Sequence, residues 1–154
     1  MRNEHEAFFK QLEGFRRYLL KESDVSAAEA EIIPEGFNNN ILWNLGHVYT
    51  EQYMWIKTLM NEDVDVDERF DEWFGYGTSP KNFTAETPSL EELRTLLASQ
   101  IGHIYETYGE RLEEEFPPTE IWNLTTLKQV LDWTSFHEGM HLQTIKHLKK
   151  FIRG

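Results

Sequence analysis

Two histidines, His137 and His141, have the type and spacing best suited to chemistry in this sequence. In a helix, side chains at positions i and i+4 lie on one face with their bases about 6 Å apart. At about 100° per residue, both histidines fall on the stripe that this helix should bury. A buried polar group must be satisfied, and no acidic residue shares the stripe. We therefore interpret the pair as two ligands of one metal ion.

A third ligand is expected from a segment nearer the N-terminus, which contains His47 and, one turn later, Glu51. The two side chains share one helix face at this spacing. Three protein ligands with an open position for water are typical of catalytic zinc. We predict His47, His137 and His141 as the ligands. We predict that Glu51 transfers protons or supports the site; a surface salt bridge is the alternative.

The other three histidines are poorer candidates for a metal site. His103 lies off the buried stripe of its helix, so we expect it to be solvated. His147 turns about 80° away from the pair on the same helix. His5 lies in a terminal segment that we expect to fray.

The chemistry is also limited by the absence of cysteine. Disulfides, thiolate metal ligands and a protein thiol nucleophile are all excluded. If a thiol takes part in the reaction, a small molecule must supply it. An all-nitrogen ligand set suits zinc, nickel, iron and copper, and we expect zinc or nickel, with iron as a further option.

The chain has 154 residues and a net charge of −12. This length suits one domain with a sizeable core, which we expect to span residues 1–154. The few basic residues form no face that could bind phosphates, so we expect no nucleic-acid partner. Neither a signal peptide nor a membrane-spanning run is visible, and we expect a cytoplasmic protein with no membrane partner.

Four amphipathic segments predict four long helices, and no segment alternates with the period of a strand. The third helix has the clearest start, because Ser89 and Glu92 form a capping box. A short helical turn is expected near residues 27–30. The long helices are predicted at 2–21, 39–60, 89–116 and 126–152. The sequence therefore predicts an all-α, single-domain four-helix bundle, in which metal sites form between facing helices.

A long connection, residues 61–87, joins the second and third predicted helices. Connections of this length are uncommon in a compact domain unless they cross the fold or cover a site. We interpret this segment as a crossover that contributes to the rim of the pocket. The alternative is that Trp73, Phe74 and Tyr76 only seal one end of the core.

The segment from His137 to His141 also matches the H-E-x-x-H motif of zinc metalloproteases, in which Glu138 would be the general base. Such enzymes usually take a third ligand downstream, where this chain has only His147. Their peptide substrates pair with a strand edge, and no strand is predicted here. The protease hypothesis is therefore disfavoured.

Over nearly its whole length the chain resembles the DinB-like superfamily of metal-binding four-helix bundles, which includes YfiT-type hydrolases and bacillithiol transferases. Three motifs carry the resemblance: Trp43-x-x-Gly46-His47, the segment from Phe74-Gly75 to Pro80 followed by Pro88-Ser89-Leu90-Glu91-Glu92-Leu93, and His137-Glu138-x-x-His141. The resemblance implies that the three matching histidines bind a divalent metal and leave a position for water. The chain departs from many members at Leu142-Gln143, where they have Gly-Gln.

The leading hypothesis is a metal-dependent enzyme that acts on small molecules, as a hydrolase or as a transferase that uses a low-molecular-weight thiol. A metal-binding or stress-response protein without catalysis is the main alternative. A bundle whose histidines are only core residues is a third. The aromatic second helix has more apolar surface than one neighbour can cover, so we also predict a homodimer.

Overall fold

The computed structural model describes residues 3–154, and its regular structure is entirely helical within that range. The six α-helices are α1 Asn3–Glu22, α2 Ala27–Glu31, α3 Ile41–Met60, α4 Arg69–Phe74, α5 Leu90–Tyr108 and α6 Leu127–Arg153. The predicted all-α bundle is confirmed, with α1, α3, α5 and α6 as its long helices. The predicted start of the first helix, Arg2, lies outside the described residues. None of the described helices combines the length and the hydrophobicity that a membrane crossing requires.

Helix α3 is the centre of the bundle, because it packs against α4, α5 and α6. Fifteen of its 20 residues are buried, so it is covered on nearly every side. The Asn40 side chain caps its start by accepting a hydrogen bond from the Trp43 amide at 2.8 Å. Asn61 ends the helix in the left-handed conformation, with φ of 55°. These two asparagines define the segment that contains His47.

A buried polar network joins the four long helices at the middle of the core. The Arg16 guanidinium of α1 donates to Glu138 on α6, to Gln100 and the Leu97 carbonyl on α5, and to Gln52 on α3. A helix that slid or rotated against its neighbours would leave these buried polar groups unpaired, at a cost in free energy. The network therefore favours one register of the bundle.

The third predicted helix ends earlier than expected, at Tyr108 rather than Phe116. Gly109, a weak helix former, begins a tighter 3-10 turn at this point. Beyond it the chain reverses in a loop closed by the Phe116 amide, which donates to the Thr125 carbonyl at 2.8 Å. Leu112 still packs in the core, although it lies outside the helix. The apolar spacing therefore predicts the burial of Leu112 correctly, but it does not show that the helix has already ended at Tyr108.

The crossover between α3 and α5 both seals the core and lines a cavity. Trp73 and Phe74 are buried, whereas Tyr76 is 93% exposed. Helix α4 approaches α3 closely because Gly46 has no side chain: a Cβ atom there would overlap the Phe74 ring. Thr78 then fixes the segment to α3 by accepting a hydrogen bond from the Trp43 indole at 2.9 Å.

Candidate metal centre

Three histidines meet where α3 packs against α6. The Nε2 atom of His137 lies 3.2 Å from the Nε2 atom of His47 and 3.1 Å from that of His141. Each residue offers one ring nitrogen within 4.8 Å of the other two. His137 and His141 come from one helix face, as the spacing predicted, and His47 faces them from α3. The structure thus brings together the three residues that the sequence singled out.

Two of the imidazoles are oriented by hydrogen bonds from their outer nitrogens. His47 Nδ1 donates to the Phe74 carbonyl at 2.6 Å, and His141 Nδ1 donates to Asn44 Oδ1 at 2.7 Å. Asn44 is itself held, because its amide nitrogen donates to the Asn40 carbonyl at 2.8 Å. An imidazole that donates through Nδ1 and remains neutral has a free lone pair on Nε2. The lone pairs of His47 and His141 therefore point toward His137.

Burial keeps all three imidazoles neutral near pH 7. Desolvation is the main cause that lowers the pKa of His137 to about 4, and the nearby His47 contributes in the same direction. Desolvation, with the nearby His47 and His137, lowers the pKa of His141 to about 3. The pKa of His47 is also lowered by burial, against the opposing effects of the Phe74 carbonyl and Asp71. Neutral imidazole is the form that binds a metal.

The donor set fits a divalent cation. If His137 Nε2 carries a proton, it can satisfy only one of the two lone pairs that face it, so at least one stays without a donor. With Zn–N distances of about 2.0–2.1 Å, a tetrahedral site separates its ligand nitrogens by roughly 3.3 Å. The observed separations of 3.1 and 3.2 Å are close to that value.

The cluster opens onto a cavity of about 680 Å³, large enough for a small molecule. Glu51 lies in this cavity, together with His47 and His137. Burial raises the pKa of Glu51 to about 7, and the negative charge of Asp71 acts in the same direction. No lysine or arginine in residues 3–154 forms an ion pair with Glu51. The structure therefore places Glu51 beside the cluster and not in a surface salt bridge.

Sequence reasoning missed the groups that hold the imidazoles. Trp43 stacks on His47 with ring centroids 4.5 Å apart and ring planes at 14°. The Phe74 carbonyl accepts the hydrogen bond of His47, and the Asn44 side chain accepts that of His141. Trp43 and Gly46 belong to the motif that ends at His47, but the motif predicted no contact for either residue. Asn44 precedes His47 by three positions, and a buried asparagine on the same helix face was the available signal.

The protease interpretation of the His137–His141 segment does not fit the geometry. Glu138, its expected general base, is 6% exposed and faces the core, where it accepts hydrogen bonds from Arg16 at 2.8 and 3.2 Å. Consecutive residues of a helix point about 100° apart, so Glu138 turns away from the face that carries the two histidines. The carboxylate that shares the cavity with the cluster is Glu51.

The remaining histidines lie elsewhere. His103 has a side chain 40% exposed, with its Nε2 atom 3.9 Å from an Asp65 oxygen. His147 is exposed and contacts Gln143, and His5 contacts Glu113. None of them belongs to the group of histidines on α3 and α6.

Comparison with known families agrees with the resemblance seen in the sequence. The family model of the DinB superfamily matches residues 11–145, a span that contains all three clustered histidines. No curated protein matches the chain.

Proposed function

The chain belongs to the DinB superfamily, and we propose that it is a metal-dependent enzyme acting on small molecules, with His47, His137 and His141 as the metal ligands. One observation carries the proposal: three neutral imidazoles converge beside a cavity that also contains the Glu51 carboxylate. A site for metal storage alone would not need the cavity or the acid. We favour zinc or nickel as the metal, with iron as an option, since all three accept nitrogen ligands.

A divalent metal bound there would supply Lewis acidity toward a water, a thiol or a carbonyl group. The protein supplies the rest. Phe74 and Asn44 hold two of the imidazoles in place through the contacts described above. Glu51, with a pKa of about 7, exists in both protonation states near neutral pH. It can therefore accept a proton at its carboxylate from a nucleophile and return it to a leaving group.

Ligand identity is tested by the metal content of purified protein that carries no affinity tag. We expect about one metal ion per chain in the wild type and a large loss in the alanine variants of His47, His137 and His141, because two imidazoles alone bind weakly. His103→Ala and His147→Ala are the matched controls and should keep their metal. Full stoichiometry in His47→Ala would refute the proposed ligand set.

Catalysis is tested with Glu51→Gln, which preserves the size of the side chain and removes its basicity. Metal-loaded wild type is assayed for hydrolysis of simple esters and amides, and for transfer of small thiols to electrophiles. We expect Glu51→Gln to keep its metal and to lose about 10²–10⁴-fold in rate, the usual contribution of a general base. Absence of any turnover in the wild type would instead favour the metal-binding protein without catalysis.

We also retain the homodimer as a proposal, although its first basis is lost, because α3 is covered by helices of the same chain. Two large apolar side chains one turn apart on α6, Phe136 and Met140, are 63% and 45% exposed, which supports it. Light scattering at micromolar concentration should give about twice the mass of one chain.

A further inference from the structure

The charge of the cavity beside the histidines restricts what it can bind. Two carboxylates, Glu51 and Glu120, line it, and no lysine or arginine does. The net charge of the whole chain, −12, has the same sign. An anionic ligand would meet repulsion in the cavity and on approach to it, whereas a cation would be attracted in both places.

The walls of the cavity are aromatic. Its rim and sides include the rings of Tyr76, Trp55, Trp122 and Trp133. Trp133 lies at the middle of the indole group, with its ring centroid 5.1 Å from that of Trp122 and 5.9 Å from that of Trp55. Several indoles around one space form the arrangement in which proteins bind ammonium groups through cation–π attraction.

Trp122 is held over the cavity at a cost in backbone strain. Its φ is 70°, in the left-handed region that bulky residues rarely adopt, and the following residue, Asn123, is also left-handed at 51°. The loop that carries both is closed by the Thr119 amide, which donates to the Leu124 carbonyl at 2.9 Å. Trp122 remains 60% exposed, so burial in the core does not offset this strain. Strain of this kind is typical of residues that contact a ligand.

We propose that the cavity binds a small molecule that carries an organic cation, an alkylated amine or a quaternary ammonium group. Trp122 and its neighbouring rings would surround the cation, with Glu51 and Glu120 compensating its charge. His47 and His137 line the same space, so the reacting group of the molecule can reach the histidine cluster. This inference names a substrate class for the proposed enzyme. The claim that such a molecule reacts at the cluster rests on the proposed function, whereas the claim that it binds does not.

The test compares three molecules of nearly one shape by calorimetry: choline, its neutral analogue 3,3-dimethylbutan-1-ol, and the anion 3,3-dimethylbutanoate. Each is titrated into metal-free and zinc-loaded protein. We expect choline to bind about tenfold more tightly than the neutral analogue, the difference that cation–π attraction of this kind supplies. The anion should not bind to the metal-free protein. Equal affinity for choline and the alcohol, or no binding of choline, would overturn the proposal.

Trp122→Gly is the most informative variant, because glycine adopts positive φ without strain and the loop should keep its shape. We expect it to reduce choline affinity at least fivefold, and Glu51→Gln and Glu120→Gln to reduce the preference for choline over the alcohol. Tyr18→Ala, which removes an exposed ring outside the cavity, is the control and should bind as wild type. An unchanged choline affinity in Trp122→Gly would refute the assigned position.

The two hypotheses fail separately. If the protein binds zinc through the histidines and turns over substrate but does not bind choline, only the substrate class is wrong. If choline binds in a manner that depends on Trp122 but the histidine variants keep their metal, the proposed metal site is wrong and the cation site stands.

Discussion

Arg16 and Glu138 form an ion pair in the middle of the bundle, with Arg16 Nη2 2.8 Å from Glu138 Oε1. Both side chains are less than a tenth exposed, and they come from α1 and α6, at opposite ends of the chain. The second oxygen of Glu138 has no hydrogen-bond partner among the described residues. Glu138 lies between His137 and His141 in the sequence, but its side chain forms an ion pair in the core. One short segment of α6 therefore contributes to the core through Glu138 and to the candidate metal site through the two histidines.

The first prediction concerns this pair. Arg16→Met or Glu138→Leu leaves one buried charge without its partner, and each should lower the free energy of unfolding by about 3–5 kcal/mol. The double variant removes both charges and should lose much less than the sum. Urea unfolding of the four proteins measures the coupling. A stable Glu138→Leu protein that had lost only hydrolysis would restore the protease interpretation.

The second prediction concerns Gly46. In Gly46→Ala the new methyl group displaces the Phe74 ring, and with it the carbonyl that accepts a hydrogen bond from His47. We expect zinc affinity to fall about 10–100-fold, as when a group that orients a metal ligand is lost. A chelating dye that competes for zinc gives the measurement.

Gly139→Ala provides the matched control for Gly46. Both glycines lie inside a helix, but a Cβ at position 139 meets no atom within 4 Å. This variant should keep its zinc affinity and gain roughly 0.5–1 kcal/mol of stability from better helix propensity. Equal loss of zinc in both variants would mean that the effect of Gly46→Ala does not depend on Phe74.

The third prediction concerns Asn44. Its side-chain oxygen accepts the Nδ1 proton of His141, so Asn44→Ala frees the imidazole to rotate or to change its protonated nitrogen. Zinc affinity should fall about 10–100-fold, and the buried Asn44 site should also lose stability. Asn38→Ala, at an exposed position before α3, serves as the control. Unchanged zinc affinity in Asn44→Ala would show that the hydrogen bond does not position His141.

The fourth prediction concerns the stability of the metal-free protein at acidic pH. The pKa values of His137 and His141 are about 4 and about 3 in the folded protein, against 6.5 for the unperturbed side chain. Between these values the unfolded chain binds more protons, so the free energy of unfolding of the metal-free protein should fall as pH falls below 6.5. Glu51 has the opposite effect, because its pKa is raised: between pH 4.5 and about 7 the folded protein binds more protons there, so this group increases the free energy of unfolding as pH falls.

Urea unfolding between pH 4 and 8 in a Glu51→Gln background removes the opposing contribution of Glu51. Replacing both His137 and His141 by Gln in this background should reduce the dependence of the unfolding free energy on pH. A slope that the two replacements leave unchanged would contradict the lowered pKa values of the clustered histidines.

Much of the candidate site could be predicted because its signals are local. The spacing of His137 and His141 fixes them to one helix face, and the apolar pattern shows that this face is buried. His47 was found because it lies on a central helix one turn before Glu51. The end of α5 was missed, since the apolar stripe continues to Leu112 after the backbone has left the helix. A pattern of burial does not report the conformation of the backbone.

The sequence by itself determined the four long helices, apart from the end of α5, together with the paired histidines and the acidic balance, since each follows from neighbouring residues or from composition. Only the tertiary structure decided that the Phe74 carbonyl accepts a hydrogen bond from His47 and that the Asn44 side chain accepts one from His141. It also decided that Glu138 faces Arg16 and not the histidine cluster. It also placed Trp122 over the cavity. These contacts join residues far apart in the chain, and they depend on how the helices pack, which local periodicity does not specify.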